Sequence, residues 1–281
     1  IIDMRTYCTL SDKKYLKQGI ALIESLKNVS SKDFKMYYLC LDSDTYESVR
    51  RYTCVEAVML ETVEESRKEI VDYKNRKQYN EYCWSLASTF SRYLLEIGVE
   101  GVMYVDSDIY FYQDPEIIFD ELGEKSIGII RHRHNTSDSP DGEFNVGIIY
   151  FKNDKQGLSC LQWWNDCLLK DLRPDLATCG DQKYLEEFPK MYDTAILDET
   201  FSHGAPWNFR LYVYDNLDKD GTVVWGNKVQ PFVFNHFSRF SIEHPTSGNY
   251  ADHTLNYQVF TIPALNKMYV DYAKELVNGS R

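Results

Sequence analysis

The chain has 281 residues, 43% hydrophobic and 26% charged, with 43 acidic against 31 basic side chains and a formal net charge of -12. That is globular composition, long enough for one large α/β domain or two small ones with a substantial core. The acidity argues against a nucleic-acid binder, which needs concentrated Lys and Arg, and no apolar run approaches the ~18 residues of a membrane span.

Periodicity predicts the elements in chain order. Arg5–Leu10 reads as a strand, with no signal-peptide pattern before it. This start leaves two readings: a cytoplasmic chain beginning near Met4, or a lumenal domain cut from an N-terminal membrane anchor. Tyr15–Lys27 is helical, with Leu16, Ile20, Ile23 and Leu26 at steps of three and four. Lys35–Leu41 is a buried strand, Asp44–Tyr52 a helix, Ala57–Leu60 a short strand and Val63–Lys77 one charged surface helix. Trp84–Ile97 is a helix stopped by Gly98. Gly101–Val105 is a strand, Asp114-Pro115 opens a helix to Leu122, and Ser126–Ile130 is a strand. This alternation predicts an α/β fold with a mostly parallel, Rossmann-like sheet flanked by helices and with ligands at the carboxyl ends of its strands. The rest is less regular. A polar loop, Arg131–Glu143, precedes a strong strand, Phe144–Phe151. Gly157–Leu172 is a helix carrying Trp163 and Trp164, and Asp181–Glu187 begins a short one. Short strands follow from Tyr192 to Phe240, and Pro263–Val277 is a terminal amphipathic helix. With no repeat or low-complexity linker, the expectation is one domain over 1–281, with a nucleotide-binding half (1–130) and an acceptor and donor-sugar half (131–281).

Seven cysteines, at 8, 40, 54, 83, 160, 167 and 179, form no CxxC pair. An odd, mostly core-like set suits a reducing compartment and so a cytoplasmic location. Sequons at Asn28, Asn135 and Asn278 matter only in a secreted protein. Aromatics reach 15%, with 22 Tyr. Most of this is core packing, and the remainder suits a cleft for sugar rings, whose CH faces are apolar.

The chemistry centres on Asp106-Ser107-Asp108. On a strand the two carboxylates share a face while Ser107 points away. Paired hard oxygen ligands at a strand terminus suit Mg²⁺ or Mn²⁺. An EF-hand is excluded, because counting from Asp106 places Phe111 where Gly is required and Ile117 where Glu is required. A haloacid-dehalogenase nucleophile belongs on the first strand, not the fourth. Four other features carry chemistry of their own. His236, in an apolar run, is a core histidine or a third metal ligand. Arg92, in an apolar helix, is a solvated arginine or a partner for phosphate, sugar or carboxylate. Asn145 is a polar amide inside a buried strand and needs partners, with Gly147 permitting close backbone approach. Asp181-Gln182, after Gly180, is a helix cap or a pair at a reacting sugar. His203-Gly204-Ala205-Pro206-Trp207-Asn208 is a structured turn or a loop closing over a ligand.

This ordered set is similar to that of GT-A-fold glycosyltransferases, and especially resembles the retaining enzymes of glycosyltransferase family 8. It comprises Ser91-Arg92-Tyr93-Leu94, a strand into Asp-x-Asp, Phe144-Asn145-Val146-Gly147, Gly180-Asp181-Gln182, Trp207-Asn208-Phe209 and a late His236. The resemblance spans roughly residues 5 to 240. It implies that Asp106, Asp108 and His236 hold Mn²⁺ (or Mg²⁺), and that Arg92, Asn145, Asp181 and Gln182 line the donor sugar, with Gln182 near C1. It also implies that Thr9 and Tyr15 serve uridine and that Ser107 lies at the donor. The family's Gly-x-x-Lys-Pro-Trp stretch is absent after the late His. Phe237-Ser238-Arg239-Phe240 stands there, with Arg239 in place of the lysine. The Cys83-Trp84-Ser85-Leu86 stretch, the Trp163-Trp164 pair and the Ala-Pro-Trp-Asn turn look more like bacterial surface-polysaccharide transferases. His132, His134, Trp207 and Asn208 are expected at the acceptor. The implied function is metal-dependent transfer of a hexose from a UDP-sugar to a glycan or lipid-linked acceptor, at the inner face of a membrane through peripheral association. Alternatives are an inverting transferase with a carboxylate base, a sugar nucleotidyltransferase and a non-catalytic glycan-binding relative. The nucleotidyltransferase needs a Gly-rich loop that Leu10-Ser11-Asp12-Lys13-Lys14 does not provide.

Overall fold

A computed structural model of the chain describes residues 4–134, 141–214, 217, 221–240 and 262–279. Its main layer is a seven-stranded sheet formed by β1 (Arg5–Ser11), β2 (Phe34–Cys40), β3 (Val55–Met59), β4 (Gly101–Val105), β6 (Ile127–Arg131), β7 (Phe144–Lys152) and β8 (Thr194–Leu197), in the order β3-β2-β1-β4-β7-β6-β8. The β1–β2, β2–β3, β1–β4 and β6–β8 pairs are parallel. β7 runs antiparallel between β4 and β6. The central strands read as near-continuous apolar runs because helices cover both faces; in β4, Val102, Met103 and Val105 have no exposure.

A second sheet has the order β10 (Tyr212–Val213), β11 (Thr222–Trp225), β12 (Lys228–His236), β5 (Ile109–Phe111), with β9 (Ser202–Gly204) also pairing β12. β5 follows β4 after only three residues, so Asp106-Ser107-Asp108 is the point where the chain passes from one sheet to the other. Both sheets draw strands from either side of residue 130: β7 joins the first sheet and β5 joins the second. The C-terminal helix, Pro263–Asn278, buries Leu265, Met268, Tyr269, Tyr272 and Leu276 as the pattern predicts. Tyr269 and Tyr272 meet Phe237 and Phe240 just beyond β12.

The helices of the first half are α1 (Leu16–Val29), α2 (Ser43–Val49), α3 (Leu60–Ser66), α4 (Lys68–Arg76), α5 (Tyr79–Glu96) and α6 (Glu116–Leu122), followed by α7 (Lys155–Leu169). The single helix expected over Val63–Lys77 is two. Arg67 breaks it with φ -143° and ψ 89°, and its buried guanidinium pairs with Glu96 of α5 and Glu69. α5 starts five residues before its expected onset, on a capping box between Gln78 and Glu81. Its inner face meets α7, where the Asn165 amide donates to Ser88 and Thr89. Asp154 caps α7 by accepting from Gln156 and Gly157 N–H, an arrangement that stabilises a helix by about 1 kcal/mol. Of the sequons, Asn28 is exposed in the last turn of α1, while Asn135 and Ser280 lie outside the described residues. Among the described residues no helix is long and apolar enough to cross a membrane.

Candidate active site

A cleft of about 860 Å³ opens at the carboxyl ends of β1, β2 and β4. It is bounded by the start of α5 on one side and by the 131–134 segment, Trp207 and the end of β12 on the other. Asp106 and Asp108 lie on its floor. The Asp106 N–H donates to the Gly147 carbonyl at 2.8 Å, and the Phe237 N–H donates to the Asp108 carbonyl at 2.9 Å. His236, paired with Ile109 across β5–β12, brings Nε2 to 3.0 Å from Asp108 and 3.5 Å from Asp106. One ligand atom from each of the three residues lies within 4.8 Å of the others. Two carboxylate oxygens and one imidazole nitrogen, with room opening into the cleft, fit a hard divalent cation.

The electrostatics agree with that fit. Burial pushes the Asp106 carboxyl up, His236 opposes the rise and Asp108 adds to it. Burial would depress His236, but Asp108 and then Asp106 overcome it and hold the ring above its ordinary range. The two acids thus gather positive charge at Nε2, where a cation would otherwise serve. Tyr104 shares a strand face with Asp106, and its hydroxyl donates to Asp106 Oδ1 at 2.7 Å. This fixes the carboxylate and leaves Oδ2 toward His236.

Gly147 allows the histidine in. A Cβ there would stand 2.5 Å from Asn145 Oδ1 and 2.9 Å from His236 Nδ1. Asn145 Oδ1 accepts from the Gly147 N–H at 2.8 Å, and its Nδ2 donates to Gln182 Oε1 at 3.0 Å. Asn145 Nδ2 also lies 3.1 Å from His132 Nε2, whose Nδ1 is 3.0 Å from the Gly142 carbonyl. With Nδ1–H given to that carbonyl, Nε2 accepts from Asn145. Burial, then His134, pushes His132 down to about 4, which keeps it neutral in this role. Behind Asp181, the buried Trp164 indole N–H donates to the Asp181 carbonyl at 3.1 Å.

Burial, reinforced by Asp106, raises the Asp181 carboxyl to about 8. The folded chain therefore keeps a proton that the unfolded chain releases near pH 4. The stability this proton confers is lost as pH rises toward 8. Relative to wild type, Asp181→Asn is expected to gain roughly 2 kcal/mol between pH 6 and pH 8, measured by thermal unfolding in chelator. A difference that does not change with pH would contradict the raised carboxyl.

The structure brings together most of the residues expected from sequence. Tyr15, Asp106, Ser107, Asp108, His132, His134, Asn145, Asp181, Gln182, Trp207, His236 and Arg239 all line the cleft. His132 stacks on His134 at 4.4 Å and stands edge-on to Trp207 at 5.4 Å, and Trp207 in turn lies 5.3 Å from His236. Three of the expected residues do not line the cleft. Arg92 faces away: its guanidinium pairs with Glu96 and Asp166 on the α5–α7 surface, because the helix phase puts Ser91, not Arg92, on the inner face. Thr9 has no exposure and lies within β1, short of the cleft. Asn208 is also fully buried. Its Oδ1 accepts from the Ala205 N–H and its Nδ2 donates to the His132 and His203 carbonyls, so it holds the turn rather than a ligand. Sequence reading missed Tyr104, whose signal was its two-residue spacing from Asp106. It also missed Tyr79 and Trp84 at the start of α5.

Comparison with known proteins bears on the family and the fold. A family model described as nucleotide-diphospho-sugar transferase matches residues 35–270. The uncharacterized protein YfnF of Bacillus subtilis (strain 168) is 29% identical over 254 residues, covering 84% of this chain and 82% of its own. Among solved structures, galactosyltransferase LgtC, in complex with donor and acceptor sugar analogs, superposes with a TM-score of 0.57 at 13% identity, covering 96% of this chain and 95% of its own. Mouse xyloside xylosyltransferase 1 gives 0.55 at 14% identity, covering 83% and 97%. Both neighbours have the GT-A fold, and the two-sheet arrangement here is that fold.

Proposed function

Because the chain belongs to the nucleotide-diphospho-sugar transferase family, we propose that this glycosyltransferase moves a hexose from a UDP-sugar to a glycan or lipid-linked acceptor, with retention at the anomeric carbon and dependence on Mn²⁺ or Mg²⁺. One observation carries the reading: Asp106, Asp108 and His236 converge on the floor of the cleft that also holds Asn145, Asp181 and Gln182. Such a cation, when bound, neutralises charge on the departing diphosphate.

The protein's own groups do the rest. Arg239 and Tyr15 line the same cleft as the metal ligands, and we place the diphosphate and nucleoside beside them. Asn145 orients the Gln182 amide through Nδ2, and His132 holds Asn145 in turn. Gln182 is too weak a nucleophile for a stable covalent sugar. The acceptor hydroxyl therefore attacks C1 on the face that UDP leaves. The new C1–O bond forms as the C1–O(phosphate) bond breaks, UDP takes the electron pair, and the hydroxyl proton passes to the leaving diphosphate. The inverting alternative would use Asp181 as base; burial raises that carboxyl to about 8 in the metal-free chain, which opposes proton uptake at neutral pH and supports the retaining reading. The proposal includes a cytoplasmic location, which the cysteine usage supports.

The test is a titration of Mn²⁺ in the presence of UDP, followed by a hydrolysis screen over nucleotide sugars. Metal-dependent UDP binding and slow UDP release from one or two UDP-hexoses are expected, with the starting anomer retained by NMR of the product. Absence of metal-dependent UDP binding would sink the reading, and an inverted anomer would replace its mechanism.

A further inference from the structure

Trp84 has no role in the chemistry above, yet its placement is unusual. It is 44% exposed, while the other four tryptophans are buried or half-buried. It takes no part in the core cluster that α5 builds with Tyr82, Leu86 and Phe90. α5 turns Asn80, Cys83, Trp84 and Ala87 toward the cleft, the i, i+3, i+4, i+7 stripe of one helix face, with Cys83 and Ala87 also reaching the core cluster. One side of the indole lies against Gly180. A Cβ on that glycine would stand 3.1–3.6 Å from three ring carbons, and Gly180 has φ +68°. A side chain at this position would crowd the indole and strain the backbone, so glycine suits the ring's close approach to the backbone that delivers Asp181 and Gln182.

An indole packed against a loop and partly exposed in a cleft is a platform for a ring with apolar CH groups on one face and hydroxyls at its edge. A hexopyranose is such a ring, and Asp181 and Gln182 stand beside the platform to meet the hydroxyls. We propose that Trp84 stacks on the donor hexose and sets which hexose is accepted, with Gly180 as the residue that lets it reach. The inference rests on the proposed function and deepens it. It assigns the sugar subsite to α5, where Arg92 had been expected to supply it.

The test compares Kd for UDP and for a panel of UDP-hexoses, with Mn²⁺ present, in wild type, Trp84→Phe and Trp84→Ala. Expected in Trp84→Ala is a tenfold or greater weakening for the preferred UDP-hexose, unchanged affinity for UDP, a raised donor KM with a smaller change in kcat, and weaker discrimination across the panel. Trp84→Phe should recover most of the lost affinity. Equal weakening for UDP and UDP-hexose would overturn the inference by placing Trp84 on the nucleotide or in the fold. Unchanged UDP-hexose affinity in Trp84→Ala would overturn it while leaving the transferase reading intact. A wild type that binds no UDP would overturn both.

Discussion

Asp108→Ala is expected to lower metal-dependent UDP release from a UDP-hexose by ~10³-fold or more, with the chain still folded. The expected size follows from geometry. Asp108 supplies one of only two carboxylates in the ligand set, and it is the acid nearer to His236 Nε2, at 3.0 Å. Removing it leaves Asp106 and an imidazole, too few charges to hold a hydrated divalent cation against bulk water. The backbone loses nothing, because Phe237 bonds to the Asp108 main-chain carbonyl and not to its carboxylate. Thermal unfolding should therefore shift little while turnover collapses. Asp108→Asn, which keeps the shape and removes the charge, should behave almost as badly. Equal turnover in wild type and Asp108→Ala would remove the cation from the mechanism.

The second large effect comes from one methyl group outside the ligand set. Gly147→Ala is expected to weaken Mn²⁺ binding in the presence of UDP by roughly 10–100-fold and to destabilise the fold by about 1–3 kcal/mol. The added carbon would lie 2.5 Å from Asn145 Oδ1 and 2.9 Å from His236 Nδ1. Neither neighbour is a free end. Asn145 is held by Gly147 N–H, Gln182 and His132, and His236 is wedged against two carboxylates and the Trp207 ring. Displacing His236 spoils the metal ligand, and displacing Asn145 spoils the Gln182 contact. Calorimetric Mn²⁺ titration and thermal unfolding on the same preparations would measure the two costs. Wild-type metal affinity in Gly147→Ala would show that His236 is not a ligand.

The parts of this arrangement that were legible in the sequence are those fixed by local pattern. The apolar run into Asp106 and Asp108, the run into His236 and the alternation that builds the β1–β4 half all depend on neighbours along the chain. What was not legible depends on partners across space. The insertion of β7 between β4 and β6 is invisible to periodicity, since antiparallel and parallel strands bury the same side chains. The position of Arg92 away from the cleft was not legible, because an 18-residue helix with two covered faces does not announce which one meets the cleft. Asn208 looked like a ligand-binding amide, but the carbonyls it satisfies come from His132 and His203, out of view of its own motif. Arg67 broke a helix to reach Glu96, 29 residues away.

Asp106 follows directly on the last residue of β4 in the first sheet, and Asp108 precedes the first residue of β5 in the second. His236 ends β12, also in the second sheet. The three ligand atoms are thus delivered by two separately hydrogen-bonded layers joined through a tripeptide. Sliding one layer against the other by an ångström would leave every strand pairing whole and still change the bite of the site. The cation pocket is in effect a gauge of alignment between the sheets, and a substitution far along β12 can detune it without touching any residue of the cleft.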